Sequence, residues 1–278
     1  MTSTAVAFGS TLLAGLATGV GSGIALVSKR TTSRFLSISL GFSAGVMIFV
    51  SLAELFTQSV AQLSAVWGPR PGYWGAIGGF FGGMGLIALI DRLVPPAVNP
   101  HEARAKEAAE NEAVDARVCP DEGASRRGAR LLRTGLLTAL VVTIHNFPEG
   151  IATLLSSIQN PHLGFAIAFA IAIHNIPEGI AISVPVYYAT GSRTKAFWYS
   201  FASGLAEPLG AAIGYLFLRP FLGGPTLGVS LSAVAGIMIY ISLDELLPSA
   251  REYGENHLAM AGLFCGMAVM AASLALIA

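Results

Sequence analysis

The sequence predicts an all-α fold, a polytopic membrane protein of eight transmembrane helices in a 3+2+3 inverted-repeat arrangement. Three observations predict it: apolar stretches of spanning length, an uneven distribution of Lys and Arg between loops, and internal repeats. A bilayer crossing needs about 20 apolar residues. Eight stretches reach that length: 5–27, 35–58, 73–92, 134–158, 163–187, 196–218, 226–248 and 257–278. Of the 278 residues, 54% are hydrophobic and 12% charged, whereas a soluble domain carries about 25% charged residues. This excludes a solvated globule and a disordered chain. The formal charge is zero with no basic stripe, so nucleic acid is not an expected partner. There is no Walker-type phosphate loop for ATP. Cys119 falls in a polar loop and Cys265 in an apolar span, which does not indicate a disulfide framework.

The first span has no Lys or Arg before it and no convincing cleavage site, so it reads as a retained helix rather than a removed signal peptide. The spans are rich in Gly and Ala, which close helix packing in lipid favours. Loops 28–34, 93–133, 188–195 and 249–256, with Arg92 counted in the second, hold 14 of the 16 Lys and Arg residues. The opposite side holds only Arg70 and Arg219. The basic side is expected to be cytoplasmic, which puts both termini outside. The loop 93–132 alternates acids and bases in HEARAKEAAENEAVDARV, and reads as a solvated cytoplasmic connector, a short helix or a linker. The rest of 1–278 reads as one transmembrane domain.

Repeats set the architecture. Ala44–Leu55 (AGVMIFVSLAEL) and Ala235–Leu246 (AGIMIYISLDEL) agree at eight of twelve positions. These are spans 2 and 7, an odd number of crossings apart, so they run in opposite directions. GLATGVG at 15–21 in span 1 matches GLAEPLG at 204–210 in span 6, and GFFGGMG at 79–85 in span 3 matches GLFCGMA at 262–268 in span 8. In the middle, His145–Ala152 (HNFPEGIA) and His174–Ala181 (HNIPEGIA) agree at seven of eight positions. Spans 4 and 5 are consecutive, so this pair is inverted too. Inverted repeats with interrupted helices are a transporter signature, with a site expected at the midplane.

The spans contain Glu54, Glu149, Glu178, Glu207, Asp244 and Glu245 away from their basic ends, and no Lys or Arg in their interiors. Carboxylates inside a membrane cost several kcal/mol unless paired, protonated or facing water. The missing positive charge must come from protons or bound metal. At 1.5 Å per residue, His145, His174 and Glu207 each lie about 18 Å into their spans, counted from Arg133, His162 and Lys195. Half the hydrocarbon thickness is about 15 Å, so all three approach the midplane.

Within each motif His and Glu are four residues apart and share a helix face. Asn146 and Asn175 lie about 100° round, within reach of a second, adjacent ion. Pro148 and Pro177 free the carbonyls of Ile144 and Ile173, which is tolerated where backbone lines a polar cavity. Imidazole nitrogen, carboxylate oxygen and amide oxygen suit zinc, iron(II), manganese, cobalt and similar divalent ions. The lack of a thiolate argues against a dedicated copper(I) site, and the lack of an all-oxygen cage argues against calcium and magnesium. A lone His or Pro in a membrane is ordinarily packing or a kink; the duplication is what points to a metal site. Glu54 lies near the outer end of span 2, and Asp244 and Glu245 near the inner end of span 7. They are interfacial acids or pathway mouths. Met47 is core packing by default.

At HNFPEG and HNIPEG the sequence resembles the ZIP (ZRT/IRT-like) family of divalent-metal transporters, and most closely a bacterial branch of it. The resemblance covers nearly the whole chain, including LGFSAGVM, SGLAEPLGA and the DELLP end of span 7. It implies import of divalent metal by alternating access, with Zn2+ as the first cargo and Fe2+, Mn2+, Co2+ and Cd2+ as further candidates. It implies no organic cofactor, a multi-pass location in the bacterial inner membrane, a lipid bilayer as surroundings and a homodimer. It also implies two adjacent metals at the midplane. The first would be held by Met47, His145, Glu149 and Glu178, with His174 near, and the second by Asn146, Glu149, Asn175, Glu178 and Glu207. Some relatives have Asp where this chain has Asn175 and Gln where it has His174, which implies a different affinity and ion preference. Many have a His-rich loop between spans 3 and 4, where this chain has only His101. The family also implies that spans 1, 4, 5 and 6 move against spans 2, 3, 7 and 8. The rival reading is a membrane-embedded zinc hydrolase, which needs an open metal position and a general base. H-E-x-x-H is absent, and a near-symmetric site divides poorly into ligand and base.

Overall fold

The computed structural model describes residues 3–27, 33–93, 120–218, 225–252 and 256–276, and among these there is no strand. Eight helical rods follow one another. Helix α1 is Ser3–Val27. Helix α2 starts as Ser33–Val50, passes through a π-helical turn at Ser51–Leu55 and continues as Phe56–Trp67. Helix α3 is Pro69–Leu93, α4 is Pro120–Gln159 and α5 is Pro161–Thr190. Helix α6 comes in two halves, Arg193–Gly204 and Ala206–Leu218. Helix α7 is Pro225–Ile241, a second π-helical turn at Ser242–Leu246, and Leu247–Glu252. Helix α8 is Asn256–Ala275.

Six of these, α1, α2, α3, α5, α7 and α8, are long and apolar enough to cross a membrane. Helix α6 falls short because it is interrupted at Leu205, which leaves halves of 12 and 13 residues. The polar segment from Pro120 joins α4 as helix, so this helix starts well before its apolar span. The rest of the connector, 94–119, with His101 and Cys119, lies outside the described residues.

The sharp connections have sequence causes. Gly68 closes α2 at φ 90°, a left-handed end that glycine adopts without a Cβ penalty, and Pro69 opens α3 where a missing N–H costs nothing. Asn160 Oδ1 accepts from the His162 N–H at 3.1 Å, with Pro161 again in the first helical position. Ser192 caps α6 by accepting from the Lys195 N–H at 3.3 Å.

The inverted repeat is visible in the backbone contacts. A Cβ added at Gly150 would stand 1.9 Å from the Glu207 carbonyl oxygen, and one at Gly179 would stand 1.9 Å from that of Thr18. Thr18 and Glu207 are matched positions of spans 1 and 6. A Cβ at Gly210 would meet the Phe147 carbonyl, and one at Gly21 the matched Ile176 carbonyl. Gly45 faces the Leu263 carbonyl as Gly236 faces that of Phe80, and Gly266 faces the Phe42 carbonyl as Gly83 faces that of Ala233. Gly15 and Gly204, matched to each other, face one another's carbonyl oxygens. The two π-helical turns also occupy matched positions. Small residues let helix backbones approach where lipid supplies no hydrophobic drive between helices.

Two sets of helices result. Helices α1, α4, α5 and α6 pack closely among themselves, while α7 packs on α3 and α2, and α8 on α2. The sets meet along a thinner seam, chiefly where α2 lies on α5 and α7 on α4.

Candidate metal centre

Helices α4 and α5 each contribute one HNxPEG motif to the middle of the first set, and both motifs remain helical through Pro148 and Pro177. His145, Asn146, Glu149, His174, Asn175, Glu178 and Glu207 are all fully buried. Among the described residues no Lys or Arg is buried, so no side-chain cation other than histidine accompanies these acids.

The motifs pair crosswise. His145 Nε2 lies 3.1 Å from Glu178 Oε2, and His174 Nε2 lies 3.1 Å from Glu149 Oε1. Each imidazole thus faces the carboxylate of the other motif, not the one four residues along its own helix. Two ligands on one tetrahedral zinc, at bond lengths of about 2.0–2.2 Å, stand about 3.3 Å apart. The His–Glu separations therefore nearly match the edge of a zinc coordination polyhedron. Among the described residues, no three His, Cys, Asp or Glu side chains form a ready-made cage; acid and imidazole meet in pairs.

The amides extend this cluster. Asn175 Nδ2 donates to Glu207 Oε2 at 2.9 Å and to the Ala14 carbonyl at 3.0 Å. Asn146 Nδ2 donates to the Ser203 carbonyl at 3.2 Å, and Ser203 matches Ala14 in the repeat. Asn146 Oδ1, Asn175 Oδ1, Glu149 Oε2, Glu178 Oε1 and Glu207 Oε1 have no hydrogen-bond partner. Buried polar atoms are normally satisfied. A group of orphaned acceptor oxygens with no cationic neighbour has the chemistry of a cation site. Glu207 follows the α6 break, in the first turn of Ala206–Leu218, where helix N–H groups favour negative charge.

Met47 is fully buried in the core. One turn before it, on the same face, Ser43 Oγ donates to the His174 carbonyl at 3.1 Å, which sets this face of α2 against the second motif. Glu54 is half-buried in the first π-helical turn and accepts from Gln58 Nε2. Asp244 and Glu245 are half-buried in the second. Asp244 is hydrogen-bonded to the Tyr240 hydroxyl, and Glu245 comes within electrostatic range of His145. The structure adds polar groups the sequence reading did not weigh, namely Thr18, Ser43, Ser200 and Ser203. Ser200 Oγ bridges the carbonyls of Gly179 (3.1 Å) and Thr18 (3.4 Å). The signal for Thr18 was present in its alignment with Glu207.

An all-α inverted-repeat membrane fold with buried acid and imidazole pairs in its middle defines a polytopic transporter of divalent metal ions. The chain belongs to the ZIP zinc transporter family, whose pattern, described as "ZIP Zinc transporter", matches residues 1–274. It is 55% identical over 277 residues to a protein of Clostridium perfringens named "Zinc transporter ZupT", covering 99% of this chain and 97% of that one. Proteins of the same name from Corynebacterium efficiens (54% over 270 residues, 97% and 96% covered) and Nitratidesulfovibrio vulgaris (53% over 271 residues, 98% and 96% covered) are similar throughout. The protein is a transporter and not an enzyme, and the hydrolase reading has no support.

Proposed function

We propose that this single transmembrane unit imports divalent metal, zinc first, across a bacterial inner membrane through a two-metal site at its midplane. The observation that carries the reading is the crosswise pairing of His145 with Glu178 and His174 with Glu149, buried and without Lys or Arg. In the first site the cation enters between imidazole and carboxylate groups from different motifs. Glu149 and Glu178 bridge the two ions. Met47 and the histidines complete the first site, and Asn146, Asn175 and Glu207 complete the second. The donor set admits Fe2+, Mn2+, Co2+ and Cd2+ as further cargo. Glu54, on the outside, and Asp244 and Glu245, on the cytoplasmic side, line the mouths, and both termini are extracytoplasmic. The protein works as a homodimer.

Uptake of radiolabelled zinc by the purified protein in liposomes tests this reading. Zinc is expected to accumulate well above empty vesicles. Unlabelled Fe2+, Mn2+, Co2+ and Cd2+ are expected to compete, and Mg2+ and Ca2+ to compete poorly. No accumulation of zinc, or equal competition by Mg2+, overturns it.

A further inference from the structure

We propose that Thr18 and Asn146 form a neutral half-site for the transported cation, the pseudo-two-fold counterpart of the acidic half made by Glu207 and Asn175. This inference rests on the midplane site proposed above and brings a residue of α1 into it.

The two halves share one backbone frame. Gly179 lies against the Thr18 carbonyl as Gly150 lies against that of Glu207. Asn175 Nδ2 reaches the Ala14 carbonyl as Asn146 Nδ2 reaches that of Ser203. They differ in the next side chain. On the acidic side the Asn175 amide also donates to Glu207 Oε2. On the other side the matched residue is Thr18, neutral and too short to repeat that bond.

The consequence is a pair of orphans. Thr18 and Asn146 are fully buried, and Thr18 Oγ1 and Asn146 Oδ1 both lack a hydrogen-bond partner. A helical threonine ordinarily donates to the carbonyl four residues back. For Thr18 that is Ala14, whose oxygen already accepts from Asn175. The hydroxyl lies close against the α6 backbone, since a Cβ at Gly204 would stand 2.9 Å from Thr18 Oγ1. At this depth in a membrane no bulk water satisfies such groups. A hydroxyl and an amide oxygen are hard, neutral donors, suited to a divalent ion that still carries part of its water. A charged half and a neutral half also give an ion one strong and one weak position, and passage requires binding that is weak enough to leave.

Equilibrium zinc binding and melting temperature of the purified full-length protein test the half-site. Thr18→Val keeps the side-chain shape and removes the hydroxyl. It is expected to weaken zinc binding about 3- to 10-fold, the worth of one polar contact, while the metal-free melting temperature holds or rises. Thr18→Ser is expected to bind near wild type. Thr18→Asp, which gives this side a carboxylate, is expected to tighten zinc binding and slow uptake into liposomes. Unchanged affinity in both Thr18→Val and Thr18→Asp overturns the half-site. So does a Thr18→Val protein that melts lower yet binds zinc as wild type, which is the mark of a packing role. Glu149→Ala, measured alongside, separates the two readings. If it loses zinc while Thr18→Val and Thr18→Asp both bind as wild type, only the half-site fails. If Glu149→Ala also binds as wild type, the midplane site itself fails.

Discussion

His145 on α4 faces Glu178 on α5 at 3.1 Å, and the inverted repeat reproduces the relationship with His174 and Glu149 at the same distance. This crossing ties the two motifs into one unit. An ion bound at either pair would take one ligand from each motif and so would link α4 to α5.

Removing one carboxylate from this unit leaves an imidazole unpaired and, on the proposed two-metal site, would deprive both ions of a shared ligand. Glu149→Ala and Glu178→Ala are each expected to lower zinc uptake at least tenfold, since ligand-shell losses cost about 10–100-fold. Zinc uptake into liposomes by correctly inserted protein checks it. Wild-type rates in either variant would mean that the central site is misplaced.

Much of the site was legible because duplication carries information that one motif does not. Seven matched residues in HNFPEGIA and HNIPEGIA mark the candidate ligand positions that the fold buries side by side, and the faint match of GLATGVG to GLAEPLG pairs α1 with α6. What could not be read was the pairing. Spacing of four residues puts His145 beside Glu149 on one face, but it does not say which carboxylate of the neighbouring helix the imidazole meets. That depends on helix crossing, which Gly150 and Gly179 set by admitting backbone carbonyls of α6 and α1. The π-helical turns were equally hidden. SLAEL and SLDEL have no composition that separates a wide turn from an α-helical one, and π-bulges are frequent at functional sites. The break at Leu205 does have a mark in the sequence, since Pro208 has no N–H to give the carbonyl of Gly204, four residues back, where the first half of α6 ends.

The glycine contacts give a packing prediction with internal controls. A Cβ at Gly150 or Gly179 would stand 1.9 Å from a backbone carbonyl, whereas one at Gly9 or Gly23 would meet nothing within 4 Å. Gly150→Ala and Gly179→Ala are therefore expected to destabilise by about 1–3 kcal/mol, the usual cost of overpacking, and to depress uptake. Gly9→Ala and Gly23→Ala should behave as wild type. Melting temperature in detergent reads the difference directly, and four equal values would mean that the helices are not this closely packed.

Protons and metal compete for the same atoms. An imidazole must be neutral to ligate, and its reference pKa is about 6.5. Lowering external pH from about 7 to 5 protonates the ligands, and metal affinity falls as a result. The apparent KM for zinc is expected to rise over that range. A flat KM would show that external protons do not reach the ligands before zinc does.

The last prediction concerns topology and both mouths. The repeat maps Glu54 onto Glu245, and each lies in a matched π-helical turn, half-buried rather than sealed in the core. Helix α2 and helix α7 run in opposite directions, so the two carboxylates face opposite surfaces. If the basic loops lie in the cytoplasm, Glu54 would face outward and Glu245 inward. The native Cys265 is exposed, so Cys119→Ser and Cys265→Ala must first clear the background. Glu54→Cys is then expected to react with an impermeant thiol reagent added outside intact cells. Glu245→Cys should react only when the cytoplasmic face is opened to the reagent. Added zinc should slow both reactions if both side chains line the path. Labelling from the reverse sides would overturn the orientation. Labelling from the expected sides, unaffected by zinc, would keep the orientation and reduce Glu54 and Glu245 to interfacial acids.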